Sequence, residues 1–302
     1  STDDPLLLLR ILWRTGSLYQ AAGQHAEAER ALKEALERAK TLSLTASAAA
    51  IVNDLGNLDA SQGKFAGALA SYTESFQMAE ATEVQPLAAI ALTNAARVSV
   101  PLQQYRESKT KLDQATGMLR TLEPSHEQVT SFITVGLTYA KLRAPLVEQK
   151  KDLTLAAYQA FHDAARIADR LGASRASSYA WGHLGKLYED ERRYGEALDV
   201  TQHAIVMARQ AAAPEALYRW HWQAGRILKG LGRPEKAIDA YRQAIIAVQS
   251  IRPEVSAAAA ADQSGEPVQR PGHRDRDVDR ERGGQPDLDH RRDGVFAARR
   301  VD

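Results

Sequence analysis

The chain has 302 residues, no cysteine and only 6% Phe, Trp and Tyr, with 39 Lys plus Arg against 38 Asp plus Glu. The missing cysteines exclude a disulfide framework, a thiolate metal site and a Cys nucleophile within the chain. A formal charge of +1 supplies no global attraction to nucleic acid or to an anionic membrane, so any electrostatic preference must be local.

Taken from the N-terminus, the first apolar stretch is Leu6 to Leu12, which Arg10 interrupts and Asp3 and Asp4 flank. It is no signal peptide, and it reads as part of a buried amphipathic helix. No window approaches the roughly 18 consecutive apolar residues of a membrane helix. The chain starts at Ser1 without an initiator Met, which fits a processed or excerpted polypeptide, and a cytoplasmic location is expected.

Two small-residue series then run along the sequence. Gly16, Gly56, Ala96, Gly136, Gly185 and Gly225 step by 40, 40, 40, 49 and 40 residues. Ala28, Ala68, Ser108, Ala157, Ala197 and Ala237 step by 40, 40, 49, 40 and 40. A larger residue often follows the second series by four: Leu32, Tyr72, Leu112, Phe161 and Tyr241. The pattern predicts six units of two amphipathic helices, each helix about 16 to 18 residues long, with a small residue where the partner backbone comes close. The units span about 5–43, 44–83, 84–123, 124–173, 174–212 and 213–251.

Punctuation follows the same period. Pro5, Pro86, Pro124 and Pro214 mark the starts of first helices, where a proline costs no helix hydrogen bond, and Pro234 starts the last second helix. Gly23, Gly63 and Gly232 mark turns between paired helices. The third unit departs from the pattern, with Ala96, Gln103 and Ser108 at the small, turn and small positions. The fourth contains an insertion, Arg143 to Asp152, expected as an extended turn or protruding loop.

At Pro253 the composition changes. Over 253–302, Leu, Ile, Val and Phe total 7, Arg totals 9, acids total 11 and Lys is absent, so this segment has too few apolar residues to build a core. Two readings stand: a solvated, disordered charged tail, or an out-of-frame translation of a gene whose product continued otherwise. Its mixed signs, net −2 from 9 minus 11, argue against a nucleic-acid arm. Both ends of the repeat array look uncapped, with Leu6 to Trp13 at one and Ile245 to Val248 at the other.

The units resemble tetratricopeptide repeats of the longer, roughly 40-residue kind. The resemblance is strongest in the fifth unit (Trp181, Leu184, Gly185, Tyr188, Tyr194, Ala197) and the sixth (Gly225, Gly232, Ala237, Tyr241, Ala244). It implies an all-α, right-handed α-solenoid of about six repeats over 1–252. A shorter stretch, Ala237 to Ala244 followed by Gln249 to Glu254, resembles the last repeat before the catalytic part of bacterial CHAT proteins, which are caspase-like.

Catalytic motifs fail on spacing. Gly56 through Gly63 and Lys64 has six residues between the glycines where a phosphate loop has four, and Gly182 to Lys186 lies inside a helix whose amides are already bonded. No two histidines lie at zinc-binding helical spacing, and no Ser, His and Asp share a nucleophile-elbow context, so neither catalytic residues, metal nor cofactor is expected.

What remains is a surface. In such a solenoid the first helices line the concave side, and register assigns to it a face with three zones. Units two and three are amide-rich, with Asn53, Asn57, Asn94 and Arg97; unit four is apolar; units five and six are basic and aromatic, with Tyr179, His183, Lys186, Arg219, Trp222, Arg226 and Lys229. The asparagines are placed to bond an extended backbone, and the basic cluster, balanced by no acid except Glu189, favours a carboxylate-bearing segment. Trp13 and Trp222 have two equal readings, as ligand contacts or as rings buried against the next helix.

The expected function is therefore a non-catalytic scaffold that binds a protein or peptide, acidic by preference, in its groove, with no nucleic-acid or membrane partner and with self-association through the uncapped ends open to it. The rival is a regulatory arm of a larger bacterial enzyme of the CHAT kind, whose catalytic pair would lie outside this chain.

Overall fold

The computed structural model describes residues 4–251; the tail expected to be disordered, and its out-of-frame reading, lie outside the described residues. Twelve α-helices follow one another there in six pairs, with no strand among the described residues. They are α1 (Pro5–Ala21), α2 (His25–Thr41), α3 (Thr45–Ser61), α4 (Phe65–Ala81), α5 (Gln85–Ser99), α6 (Tyr105–Thr121), α7 (His126–Leu142), α8 (Lys150–Arg170), α9 (Ser174–Asp190), α10 (Tyr194–Gln210), α11 (Pro214–Gly230) and α12 (Pro234–Ile251). The result is an all-α helical-repeat solenoid.

The tight connections come from one device. Nine junctions carry a residue of positive φ, and glycine supplies it at Gly23, Gly63, Gly172 and Gly232, with φ of 74°, 74°, 65° and 69°. Ser43, Glu83, Gln103, Arg192 and Ala212 adopt the same left-handed conformation against the preference of a side-chain-bearing residue. At Gly23 the two hydrogen bonds Gly23 N–H to Gln20 O (3.0 Å) and Gln24 N–H to Tyr19 O (2.9 Å) satisfy the last carbonyls of α1 and turn the chain back.

Two junctions differ. After α6 the backbone at Leu122 is extended, and Ser125 caps α7 by accepting from the Gln128 N–H at 3.1 Å, so Pro124 precedes α7 and is not its first residue. Between α7 and α8 a short 3-10 turn, Val147–Gln149, replaces the left-handed residue. Part of the insertion is helical: Lys150, Lys151 and Asp152, expected in a loop, form the first turn of α8, which at 21 residues is longer than the other second helices, of 17 or 18 residues.

Packing explains the small-residue series, with one correction. The first series admits chiefly partner side chains, although partner backbone also comes within 3.3 Å of the Cβ positions at Gly16 (Leu32 N) and Gly185 (Ala197 O). A Cβ built on Gly16 would lie 2.7 Å from Leu32, on Gly56 2.7 Å from Tyr72, on Gly136 2.6 Å from Phe161 and on Gly225 2.4 Å from Tyr241. Any side chain there would displace the residue that fills the unit's core. The second series, from Ala28 to Ala237, is buried throughout, and in the third unit the Ser108 hydroxyl donates to the Ala96 carbonyl at 2.7 Å.

Curvature follows from which helices touch. First helices of successive units pack on one another along α1, α3, α5, α7, α9 and α11, whereas successive second helices make no comparable contact. The first-helix side is therefore the shorter, inner side. No helix of the described residues is long and apolar enough to cross a membrane.

Candidate interaction groove

Three depressions run along the first-helix side. One of about 340 Å³ lies between α3, α5 and α7 and is lined by Asn53, Asn57, Asn94, His126 and Thr130 among others. A second, about 680 Å³, lies between α7 and α9, where Ile133, Ala173, Ala176 and Tyr179 give it an apolar wall. The third, about 310 Å³, lies between α9 and α11 and contains His183, Lys186, Arg219, Trp222 and Arg226. His126 and Thr130 border both the first and the second. Tyr179, in the second, contacts the His183 ring of the third at 6.2 Å between centroids.

In the amide-rich zone the polar groups mostly bond to one another. Trp13 Nε1–H donates to Asp54 Oδ2 at 2.7 Å, and Asn57 Nδ2–H donates to Asp54 Oδ1 at 3.3 Å. The Tyr72 hydroxyl donates to Asn57 Oδ1 at 2.8 Å and accepts from Arg97 at 3.2 Å, while Asn94 Nδ2–H donates to the buried Asn53 at 3.1 Å. Burial raises the Asp54 carboxyl above the usual range, with the bonds from Trp13 and Asn57 opposing that shift, and pushes the Tyr72 hydroxyl up to about 12. This chain of bonds ties units one, two and three together and leaves few amide groups free for an extended backbone. Asp54, which the sequence reading passed over, is its hub.

The basic zone is more balanced than its residue types suggest. Arg226 forms a two-pronged pair with Glu189, Nε to Oε1 at 2.7 Å and Nη2 to Oε2 at 2.8 Å. Lys186 pairs with Asp190, an acid that the expected balance omitted, and Arg175 pairs with Glu215. Arg219 and Lys229 are exposed and make no ion pair among the described residues. Trp222 is 49% exposed, its ring inclined against Tyr241 at 5.0 Å, whereas Trp13 is half-buried on Asp54. Trp13 thus follows the reading of a ring packed on the next helix, whereas Trp222 does not.

His183 sits among the rings of Phe161, Trp220 and Tyr179, with centroids 5.8, 5.5 and 6.2 Å away. Burial, with the Arg219 charge adding to it, lowers its pKa to about 4, so the imidazole is neutral at physiological pH. It offers the groove a polar aromatic edge, not a charge.

Gly182, one residue before His183, is covered: a Cβ there would lie 2.3 Å from the Trp220 ring. Trp220 Nε1–H donates to Ser178 Oγ at 2.9 Å, and the Gln223 amide donates to the Gly182 carbonyl and to Thr201 Oγ1, both at 2.9 Å. The sequence signal for this joint was available. Gly182 is the only glycine at its position in the repeat, and the next unit alone carries a tryptophan, Trp220, five before its small slot. Among the described residues no three His, Asp or Glu side chains group so as to hold a metal ion.

Comparison with known proteins agrees with this architecture. Residues 16–43 and 219–245 each match a family model described as tetratricopeptide repeat, so the chain carries tetratricopeptide repeats in its first and last units. No curated protein sequence matches the chain. Among solved structures, BtubC (BKLC) from P. vanneervenii is similar at 17% identity and a TM-score of 0.61, over 86% of this chain and 98% of that one. A Rap protein complexed with competence and sporulation factor is similar at 13% and 0.59, over 82% and 76%. The signal-transduction ATPase with a tetratricopeptide repeat sensor from Pyrococcus horikoshii is similar at 13% and 0.58, over 86% of this chain and 40% of that one. At such identities the likeness shows the fold. None of these three is described as a CHAT protein.

Proposed function

We propose that this array of tetratricopeptide repeats is a non-catalytic scaffold that holds an extended protein segment along its first-helix side, with an acidic stretch of the ligand at the α9–α11 end. The observation that carries the reading is the run of three adjoining depressions, which ends at exposed Trp222 between the unpaired cations Arg219 and Lys229. An aromatic face flanked by two free cations suits a carboxylate-bearing segment, because the ring supplies desolvated contact area and the charges need no internal ion pair to be broken. Tyr179 and Ile133 give the middle of the groove an apolar seat, and the ligand backbone there meets threonine hydroxyls and the neutral His183. The fold-level likeness to a Rap protein crystallised with competence and sporulation factor is in keeping with a scaffold of this kind.

The test is selection of linear peptides from a random display library on the full chain. The selected peptides should be enriched in Asp and Glu, and their affinity should fall as salt rises. Exchanging Arg219 and Lys229 for Glu should weaken them about tenfold, or about 1.4 kcal/mol, mostly through slower association. Arg226 stays untouched, because it is tied to Glu189 and its loss would confuse binding with folding. Peptides without acidic bias, or undiminished binding by the double variant with its helical content intact, would refute the reading.

A further inference from the structure

The two ends of the array expose complementary halves of one interface. Throughout the chain each first helix packs on the second helix that precedes it: α3 on α2, α5 on α4, α7 on α6, α9 on α8 and α11 on α10. Helix α1 has no predecessor and α12 no successor among the described residues. The cost is visible at equivalent positions of the repeat. Ile11 is 51% exposed, whereas its counterparts Ile51, Ala91, Ser131, Ala180 and Trp220 are all buried. Leu18 is 70% exposed, whereas Leu58, Val98, Thr138, Leu187 and Ile227 are buried. At the other end Ile238 and Ile245 are 51% and 54% exposed, while their counterparts Leu198 and Ile205, on the helix that α11 covers, are 8% and 7% exposed.

We propose that the chain associates head to tail with a second copy of itself, α1 of one molecule packing on α12 of the next as α11 packs on α10. The second copy is favoured as occupant because it continues an interface the chain already makes five times. At the α10–α11 junction the preceding helix has large aliphatic residues, Leu198 and Ile205, under the next first helix, and α12 presents isoleucine at both equivalent positions. Charge offers no barrier: α1 carries Arg10 and Arg14 and no acid, and α12 carries Glu235 and Asp239 beside Lys236 and Arg242. Different surfaces meet in such a contact, so it does not close on itself, and each added copy presents a fresh α12 face to the next. The junction uses outward faces of the terminal helices and none of Arg219, Trp222 or Lys229, so it stands or falls separately from the groove reading.

The experiment measures the mass of the full chain in solution, by light scattering and sedimentation, over a wide range of protein concentration. The mass should rise with concentration through dimer to longer species. Two paired variants divide the interface: Ile11→Glu with Leu18→Glu, and Ile238→Glu with Ile245→Glu. All four positions are about half exposed or more, so circular dichroism should show the folded helix content of the parent. Each variant alone should associate at least about tenfold more weakly. An equal mixture should form a dimer and stop there, since one intact α12 face meets one intact α1 face while both remaining ends are blocked.

A full chain that stays monomeric at every concentration would mean that another occupant, such as its own tail or a different protein, covers these faces, and would overturn the proposal. So would a variant that still dimerises alone, which marks a symmetric contact, or a mixture that fails to associate.

Discussion

Substituting Gly56 by Ala tests the packing logic that sets the repeat. The new Cβ would lie 2.7 and 2.8 Å from Cε1 and Cδ1 of Tyr72, closer than side-chain carbons approach. Tyr72 is fully buried, and its hydroxyl is held by Asn57 and Arg97, so the ring has no free direction in which to yield. Overpacking of this kind costs about 1–3 kcal/mol, against a gain of about 1 kcal/mol from placing Ala in a helix interior, so a net loss of up to about 2 kcal/mol is expected. Gly117→Ala is the internal control: nothing lies within 4 Å of its Cβ position, so the same exchange should raise stability by up to about 1 kcal/mol. Adding Tyr72→Leu to Gly56→Ala recreates the pairing of the third unit, where Ala96 and Leu112 are both fully buried. The two exchanges should therefore couple favourably, by about 1–2 kcal/mol in a double-mutant cycle read from urea midpoints. If Gly56→Ala stabilises as Gly117→Ala does, or the cycle shows no coupling, the glycine series is not the receptor for these side chains.

Three further expectations address turns, pH and the basic zone. Gln103→Gly and Ala212→Gly, at φ of 60° and 47°, should each raise stability by about 0.5 kcal/mol, the relief of left-handed strain exceeding the added freedom of the unfolded chain; a fall in thermal midpoint for both would show that the turns are not strained. Burial lowers the His183 pKa to about 4 from the ordinary histidine value of 6.5, so the folded state resists the proton that the unfolded chain accepts. Stability should be full above pH 6.5 and decline as pH falls toward 4, by about 2–3 kcal/mol in all, and His183→Phe should flatten that limb of a urea-midpoint profile; an unaltered slope would refute the assignment. Arg226→Ala leaves Glu189, whose side chain is 13% exposed, without its partner and should cost about 2 kcal/mol. Lys186→Ala breaks an exposed pair and should cost no more than about 0.5 kcal/mol, so equal losses would mean that the Arg226 pair does not form as described.

The fold was legible because its strongest constraint acts at single positions. A glycine that must receive Leu32, Tyr72, Phe161 or Tyr241 cannot drift, so the 40-residue step survives even where the rest of a unit varies. What spacing could not say is which kind of atom comes closest: a partner side chain does at each of these glycines, with partner backbone behind it at Gly16 and Gly185. The insertion was legible as a change in step, but not in form. Whether Lys150 to Asp152 loop out or extend α8 depends on whether Leu153 reaches the core, and it is fully buried there.

The groove was legible by face and not by pairing, and the reason lies in sequence distance. Lys186 with Asp190 and Asn57 with Asp54 are neighbours on one helix, four and three residues apart, and the helical period alone reveals them. Trp13 with Asp54, Asn53 with Asn94 and Gly182 with Gln223 are each 41 residues apart, one repeat plus one residue. That offset is what results when successive first helices lie side by side in nearly constant register. Trp220 with Ser178 at 42 and Arg175 with Glu215 at 40 fall beside it. A polar residue in one unit should therefore be paired with its partner near 41 residues on before it is assigned to a ligand. Applied here, the rule withdraws Asn53, Asn94 and Gln223 from the groove's free polar groups. Arg226 with Glu189, 37 apart, escapes it, because a long guanidinium arm reaches back one turn. Lys229 has no partner under either count, and Arg219, four residues after Glu215, makes no ion pair because that acid bonds Arg175, so these two cations carry the binding test.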